Sequence, residues 1–219
     1  MERKISFSFY VVAFLVAAAL FSIGVYVGTT INNGAVTGIS SEVSGLSSRL
    51  SMMQLLALME ENNSAFCPVY RSELAEIDTQ REKLGYELTL LEEQKHVFAP
   101  ETKKEYMMLQ AQSYLLAKKT EQTCPGKNSV YVLYFYSNDN CDSCKLQGDD
   151  ILRARDEAKN KDSVKIYAFD SGIGSPVVDA FKSQYQVKNY PTTIVNGIAY
   201  RSLTSKDVLR GAMENVTGN

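Results

Sequence analysis

The chain has 219 residues, a formal net charge of −2, four cysteines and a single histidine. This length suits one large domain, or a small domain with appendages. The near-neutral charge and the lack of a basic stripe with interleaved aromatic residues exclude a typical nucleic-acid-binding protein, so no nucleic-acid partner is expected.

Residues 5–31 form an uncharged, apolar run near the N-terminus. As a helix, the run would be about 40 Å long, which exceeds the ~30 Å hydrocarbon core of a bilayer. The alternative is a cleaved signal peptide, but the apolar region of such a peptide usually has only about 7–15 residues, and no clear cleavage site follows this run. We therefore predict an uncleaved transmembrane anchor.

The charges that flank the run predict its orientation. Arg3 and Lys4 precede it, and the next basic residue is Arg49. By the positive-inside rule, residues 1–4 lie in the cytoplasm and everything after residue 31 lies outside. Disulfides form and persist on that side of a membrane. The prediction is a single-pass protein of the cell membrane with an extracytoplasmic C-terminal part.

The region after the anchor predicts a linker and then three helices. Residues 32–38 are small and flexible, and residues 39–125 carry three amphipathic patterns. The first pattern has an apolar seam with coiled-coil spacing, formed by Ile39, Val43, Leu46, Leu50, Met53 and Ala57. The seam can pair with a second copy, which would give a homodimer through residues 39–60. It can also pack within the chain, which is the commoner outcome.

The second helix is predicted to begin after Pro68, and the third to run from about Thr102 to Thr120. Their apolar stripes comprise Tyr70, Leu74, Ile77, Leu84, Leu88 and Leu91, interrupted by Arg81, and Tyr106, Leu109, Ser113 and Leu116. Short connections predict antiparallel packing of consecutive helices. Cys67 and Cys124 then both lie at the membrane-distal end, which predicts a structural disulfide between them. Two unpaired buried thiols are the alternative.

Residues 130–145 predict a strand that leads into a helix, with two cysteines at the junction. The β-branched and aromatic run is typical of a strand buried on both faces. The helical pattern that follows places Leu146, Ile151, Leu152 and Ala158 on its inner side. A thiol at a helix N-terminus is stabilised as the thiolate, and a second thiol one turn later can resolve a mixed disulfide. We therefore predict that Cys141 is the attacking thiolate and Cys144 the resolving thiol.

A structural zinc site is the alternative for this Cys-x-x-Cys pair, because the same spacing serves half of such a site. A structural zinc ion needs about four ligands. No second close pair of ligands is present, and the single histidine, His96, lies in the helical segment. We therefore expect no metal and no cofactor.

The remaining segments predict the element order β-α-β-α-β-β-α from about residue 126. A second buried strand is expected at 164–170, a helix at 175–187, and two short strands within 192–202 around an Asn-Gly turn. In the final helix, Thr204 is the expected N-cap. The residues expected to face inward are Val208, Leu209, Ala212 and Met213.

Residues 126–219 resemble a thioredoxin-like domain. The resemblance is carried by Cys141 and Cys144 at a strand-to-helix junction, and by the tripeptide of Tyr190, Pro191 and Thr192 before the closing hairpin. It implies an α/β fold with a central mixed sheet and flanking helices. It also implies that Pro191 is cis, and that the Tyr190 backbone can pair with a substrate chain as an added strand.

The sequence departs from this family's pattern close to the cysteines. Asn140 stands where many relatives have tryptophan, and Phe135 stands where many have a buried acid. Asp139 and Asp142 place carboxylates beside the first thiol, which disfavours its charged form. Because a strong oxidant needs a stabilised thiolate, these aspartates predict a fairly reducing dithiol.

The predicted function is a membrane-tethered thiol–disulfide oxidoreductase that acts on protein thiols or disulfides. Tyr190 and Pro191 would shape its substrate cleft, and the resemblance to tethered relatives implies a multi-pass membrane thiol oxidase or reductase as its redox partner. The alternative is a non-catalytic thioredoxin-like binding or scaffold module on a helical stalk, in which the dithiol is incidental.

Overall fold

The computed structural model of the chain describes residues 7–59, 66–124, 126 and 129–215. The predicted cytoplasmic residues 1–4 lie outside this part. In chain order the elements are α1 (Phe7–Met59), α2 (Cys67–Glu93), α3 (Pro100–Thr123), β1 (Val130–Tyr136), α4 (Asp142–Glu157), β2 (Val164–Asp170), α5 (Pro176–Tyr185), β3 (Thr192–Val195), β4 (Ile198–Tyr200) and α6 (Lys206–Asn215).

The first half of α1 is long and apolar enough to cross a membrane. Its most apolar 18-residue window has a mean hydropathy of 2.4, and none of that window is buried against the rest of the protein. Residues 10–31 are all exposed. This arrangement is compatible with a single-pass membrane anchor, because lipid would cover these side chains.

The prediction of a flexible linker at residues 32–38 is wrong, because α1 continues through them without a break. Ala35 and Val36 pack against the hydrophobic core of the helical segment. The Thr37 hydroxyl donates a hydrogen bond to the Asn33 carbonyl at 2.9 Å. Glycine lowers helix propensity by only about 1 kcal/mol, so packing of neighbouring residues can maintain the helix here.

Helices α1, α2 and α3 form a bundle in which α2 runs antiparallel to the other two. Arg49 of α1 pairs with Glu73 near the start of α2 at 2.6 Å, and Lys103 at the start of α3 pairs with Glu92 at the end of α2 at 2.7 Å. The predicted seam lies inside this bundle, where Ile39, Val43, Leu46, Leu50 and Met53 are buried. The seam is therefore used within the chain, and the predicted homodimer would have to use another face of α1.

The four strands form one mixed sheet in the order β2-β1-β3-β4. β1 is parallel to β2 and antiparallel to β3, which is antiparallel to β4. One face of the sheet packs against α5 and the bundle, and the other packs against α4 and α6. Strand β1 is consequently buried on both faces, as its apolar run predicted.

Edge strand β2 is covered by polar side chains of the bundle. The Gln110 amide donates to the Ala168 carbonyl at 2.6 Å and accepts from the Ala168 N–H at 2.9 Å, as a neighbouring strand would. Arg81, which interrupts the apolar stripe of α2, donates to the Ile166 carbonyl at 2.8 Å and lies over the Tyr167 ring. These contacts occupy backbone groups that an open edge would expose to other chains.

Three details of the helices differ from the predictions. Leu146 and Leu152 are exposed, because α4 buries Gln147 instead, and the Gln147 amide bonds to both backbone groups of Thr204. Thr204 is not the N-cap of α6. The helix begins one residue after Ser205, whose carbonyl accepts from the Leu209 N–H at 3.1 Å. This start rotates Val208 outward, where it is 52% exposed.

Candidate dithiol site

The junction of β1 and α4 places Cys141 and Cys144 next to each other. Cys141 is the N-cap of α4, and Cys144 lies in its first turn. The two form a disulfide with a Cα–Cα distance of 5.3 Å. The Cys144 N–H donates to the Cys141 carbonyl at 3.0 Å, which closes the turn that brings the sulfurs together.

The two cysteines differ in their exposure. Cys141 is half-buried, whereas Cys144 is only 4% exposed. A second protein can therefore reach the Cys141 sulfur more easily than the Cys144 sulfur. Attack at the outer sulfur and release of the inner one is the order that a dithiol exchange site requires.

Opposing electrostatic effects act on the Cys141 sulfur. The N-terminus of α4, with the positive end of its helix dipole, favours a thiolate, and the Ser143 hydroxyl lies 3.8 Å from the Cys141 sulfur. Asp142 brings a carboxylate into the same first turn, which disfavours a second negative charge. The site thus combines a feature that activates the thiol with one that limits this activation.

Tyr134 of β1 fixes the position of Cys144, the more buried cysteine of the pair. Its hydroxyl donates a hydrogen bond to the Cys144 carbonyl. Burial raises the pKa of the Tyr134 hydroxyl above its usual value, so this donor keeps its proton throughout the physiological range. The first turn of α4 is in this way fixed to β1.

A groove with a volume of about 690 Å³ opens beside the disulfide. The α4 side contributes Cys141 and Cys144, and the end of α2 contributes Thr89, Glu92 and Glu93. Lys145 and Glu93 form an ion pair at 2.9 Å that joins these two walls. Sequence reasoning missed the α2 wall, because no local pattern indicates that the end of this helix returns to the cysteines.

A buried cluster of charges lies behind this groove. The Lys103 ammonium contacts Glu92 at 2.7 Å and Asp170 at 2.9 Å, and the side chains of Lys103 and Asp170 are 5% and 3% exposed. The second carboxylate oxygen of Glu92 is buried and has no hydrogen-bond partner among the residues that the structure describes. Glu92 therefore carries an acceptor that is open to hydrogen bonding in the wall of the groove.

Tyr190 and Pro191 lie at the same end of the sheet as the cysteines, before the start of β3. The peptide bond between them is cis, as the resemblance implies. Thr192, the next residue, pairs with Phe135, the last residue but one of β1, and Cys141 follows Phe135 by six residues. Pro191 is buried and Tyr190 is half-buried.

Cys67 and Cys124 form the second disulfide, with a Cα–Cα distance of 5.5 Å. This is the pairing predicted from the helix arrangement. It joins the start of α2 to the end of α3, and Arg71 donates to the Cys124 carbonyl at 3.0 Å. The bond therefore lies at the end of the bundle opposite to the Cys141–Cys144 disulfide, and neither cysteine takes part in the groove.

The described residues include no group of three or more histidine, cysteine, aspartate or glutamate side chains placed to hold a metal ion. His96 is exposed in the connection between α2 and α3, and its backbone has a positive φ of 52°. In this part of the chain, both cysteine pairs are engaged in disulfides.

Comparison with known proteins gives little to set beside this geometry. The chain matches no known protein family and no curated protein. A solved structure described as that of a malarial protein aligns with 18% identity and a TM-score of 0.34, covering 40% of this chain and 97% of that one. A similarity of this size does not indicate a shared fold.

Proposed function

We propose that residues 126–219 are a thioredoxin-like domain. Three features support this assignment together: the strand order β2-β1-β3-β4 with its mixed directions, the cis peptide bond before β3, and the cysteine pair between β1 and α4. In this chain the helical bundle covers the β2 edge of the sheet. The assignment rests on this combination, since each feature alone occurs in other folds.

The function that this site supports best is thiol–disulfide exchange with protein substrates. The observation that carries it is the half-buried Cys141 at a helix N-terminus, in a disulfide with the buried Cys144 beside an open groove. In the reducing direction, the Cys141 thiolate attacks a substrate disulfide, and one substrate sulfur leaves and takes up a proton. Cys144 then attacks the mixed disulfide, which releases the second substrate sulfur and leaves the enzyme oxidised.

The site is proposed to work outside the cell membrane, with α1 as a single-pass anchor. The charge-free stretch of α1 and the basic residues before it support this orientation. The Cys67–Cys124 bond supports it independently, because structural disulfides are rare in compartments that keep thiols reduced. A catalyst anchored there has to exchange electrons with a further redox protein, for which a multi-pass membrane thiol oxidase or reductase is the proposed class.

Insulin reduction by the full-length protein in detergent tests this function. With dithiothreitol as the electron source, we expect the wild type to accelerate precipitation of the insulin B chain. Cys141→Ser should return the rate to that of dithiothreitol alone, because the attacking sulfur is lost.

A variant in which Cys67 and Cys124 are both alanine serves as the matched control. It also loses a disulfide but should keep the activity, because that bond lies at the other end of the bundle. A wild type no faster than Cys141→Ser would contradict the proposal and would favour the non-catalytic scaffold.

A further inference from the structure

Strands β1 and β2, whose C-terminal ends lie at the dithiol end of the sheet, run antiparallel to α3. At the start of β1, the Tyr131 ring packs against Tyr114 in the second half of α3, with centroids 5.6 Å apart. At the end of β2, Asp170 pairs with Lys103 in the first turn of α3 at 2.9 Å. The end of the sheet next to the dithiol is therefore level with the beginning of α3.

The beginning of α3 lies close to the membrane-spanning part of α1. The Ser40 hydroxyl of α1 donates to Glu105 of α3 at 2.8 Å. Because α1 is one continuous helix, it advances by only about 14 Å from Ile31, the end of the apolar run, to Ser40. The Lys145–Glu93 ion pair places the start of α4 at the same end of the bundle, beside the last turn of α2.

The short rise of α1 between Ile31 and Ser40 leaves little room between the dithiol and a bilayer. Measured from Ile31, the headgroup layer takes up about 5–8 Å of this rise, so about 6–9 Å remain between it and the level of Ser40. A folded domain of about 100 residues has a radius of gyration of about 13 Å and does not fit into this gap. A linker at residues 32–38 would have lifted the site away, but that segment is helical.

Three exposed apolar side chains belong to segments that lie at this end of the molecule. We call Phe98, Leu146 and Leu203 the apolar rim, and they are 70%, 57% and 47% exposed. They come from three separate segments: the connection between α2 and α3, the first half of α4, and the residue before Thr204, which bonds to Gln147 of α4. Apolar side chains exposed at the end of a molecule next to a membrane are typical of a surface that contacts the membrane or a protein embedded in it.

We propose that the Cys141–Cys144 pair faces the bilayer and exchanges electrons with cysteines that an integral membrane protein presents at the outer membrane surface. This inference rests on the proposed exchange function and adds the orientation of the site and the place where the partner presents its cysteines. A thiolate of the partner attacks the Cys141 sulfur, and Cys144 leaves as a thiolate that takes up a proton. A second partner cysteine then displaces Cys141, so the partner becomes a disulfide and the pair a dithiol.

The test uses the full-length Cys144→Ser protein in phosphatidylcholine vesicles that contain a lipid with a pyridyl disulfide on its headgroup. The Cys141 thiolate attacks the lipid-side sulfur, a protein–lipid disulfide forms, and pyridine-2-thione is released and measured. Each rate is divided by the rate with water-soluble dithiodipyridine, which reports the intrinsic reactivity of the thiol.

The matched control carries Cys141→Ser, Cys144→Ser and Ile198→Cys. Ile198 is 61% exposed and follows the turn at the opposite end of the sheet, where the Asn196 N–H bonds to the Tyr131 carbonyl at 2.9 Å. We expect the normalised lipid rate of Cys141 to be at least ten-fold higher than that of the control, and independent of vesicle concentration. Equal normalised rates would overturn the inference and would fit a soluble client instead.

A second variant keeps the site and changes only its height. Seven residues inserted after Asn33 add two helical turns, or about 10 Å, and keep nearly the same face of α1 toward the bundle. The normalised lipid rate of Cys141 should fall at least five-fold, while the rate with dithiodipyridine stays unchanged. An unchanged lipid rate would contradict this inference but not the proposed exchange function. Failure of Cys141 to react with dithiodipyridine in the parent protein would instead contradict the proposed function on which the inference rests.

Discussion

At the scale of single residues, the charge next to Cys141 sets the redox character of the proposed site. The α4 N-terminus stabilises a thiolate, and Asp142 in the same turn opposes it. Asp142→Asn removes the opposing charge and should raise the reduction potential by about 10–30 mV, since a more stable thiolate favours the reduced pair. Titration in glutathione buffers with quantification of free thiols measures this shift.

Asp149→Asn is the control for that measurement, because Asp149 is exposed on the same helix and lies farther from its N-terminus. It should leave the potential within a few millivolts of the wild type. A potential that stays constant or falls in Asp142→Asn would contradict the electrostatic account. A wild-type potential near −120 mV, which is typical of the strongest oxidants, would contradict a reducing site.

Arg81 is the residue whose role sequence reasoning could recognise least. It appears only as an interruption of the α2 stripe, yet it is 1% exposed and bonds to the β2 backbone at Ile166. Its partners lie far away in the sequence, and a helical periodicity carries no signal about them. By contrast, the positions of Cys141 and Cys144 follow from local patterns alone, which is why the sequence was sufficient to locate them.

Replacement of Arg81 tests how strongly the bundle holds the sheet. Arg81→Met should lower the free energy of unfolding by about 3–5 kcal/mol, because it leaves Asp78 and the Ile166 carbonyl without this buried partner. Urea unfolding followed by circular dichroism measures the change. Lys83→Met, which alters an exposed pair with Glu87 on the same helix, should change it by less than about 1 kcal/mol. Similar losses in both variants would contradict the account.

At the scale of elements, periodicity predicted the helices and strands well, and their connections less well. The stripes of α2 and α3 and the run of β1 match what is buried. The prediction of a linker at residues 32–38 is wrong because tertiary packing of Ala35 and Val36 overrides the composition of the segment. The predicted burial of Leu146 and Leu152 is wrong because Gln147 takes the inward position, where its amide bonds to the Thr204 backbone.

The bond between Cys67 and Cys124 fixes the ends of α2 and α3 over a sequence separation of 57 residues. Replacement of both cysteines by alanine should reduce the free energy of unfolding by about 4 kcal/mol in the chain-entropy description. Chemical unfolding of wild type and double variant under non-reducing conditions measures the difference. A change of less than about 1 kcal/mol would show that the bundle has its full stability without this bond.

At the scale of the whole molecule, the helical segment contributes to the core, to the edge of the sheet and to the groove. Its core is continuous with one face of the sheet, its polar side chains cover the β2 edge, and the end of α2 forms one wall of the groove beside the cysteines. None of these contacts could be predicted from local patterns, because each joins residues that are distant in the sequence. They join the helical segment, the sheet and the cysteine pair into one structure.

Trapping of a mixed disulfide on the full-length protein tests the proposed exchange most directly. A Cys144→Ser protein is incubated with a small peptide disulfide, and the products are analysed by mass spectrometry without reduction. We predict a peptide adduct on Cys141 that persists because the resolving sulfur is absent, and no adduct when Cys141→Ser is treated in the same way. Equal adducts in both variants, or no adduct in either, would contradict a role for this pair in thiol–disulfide exchange.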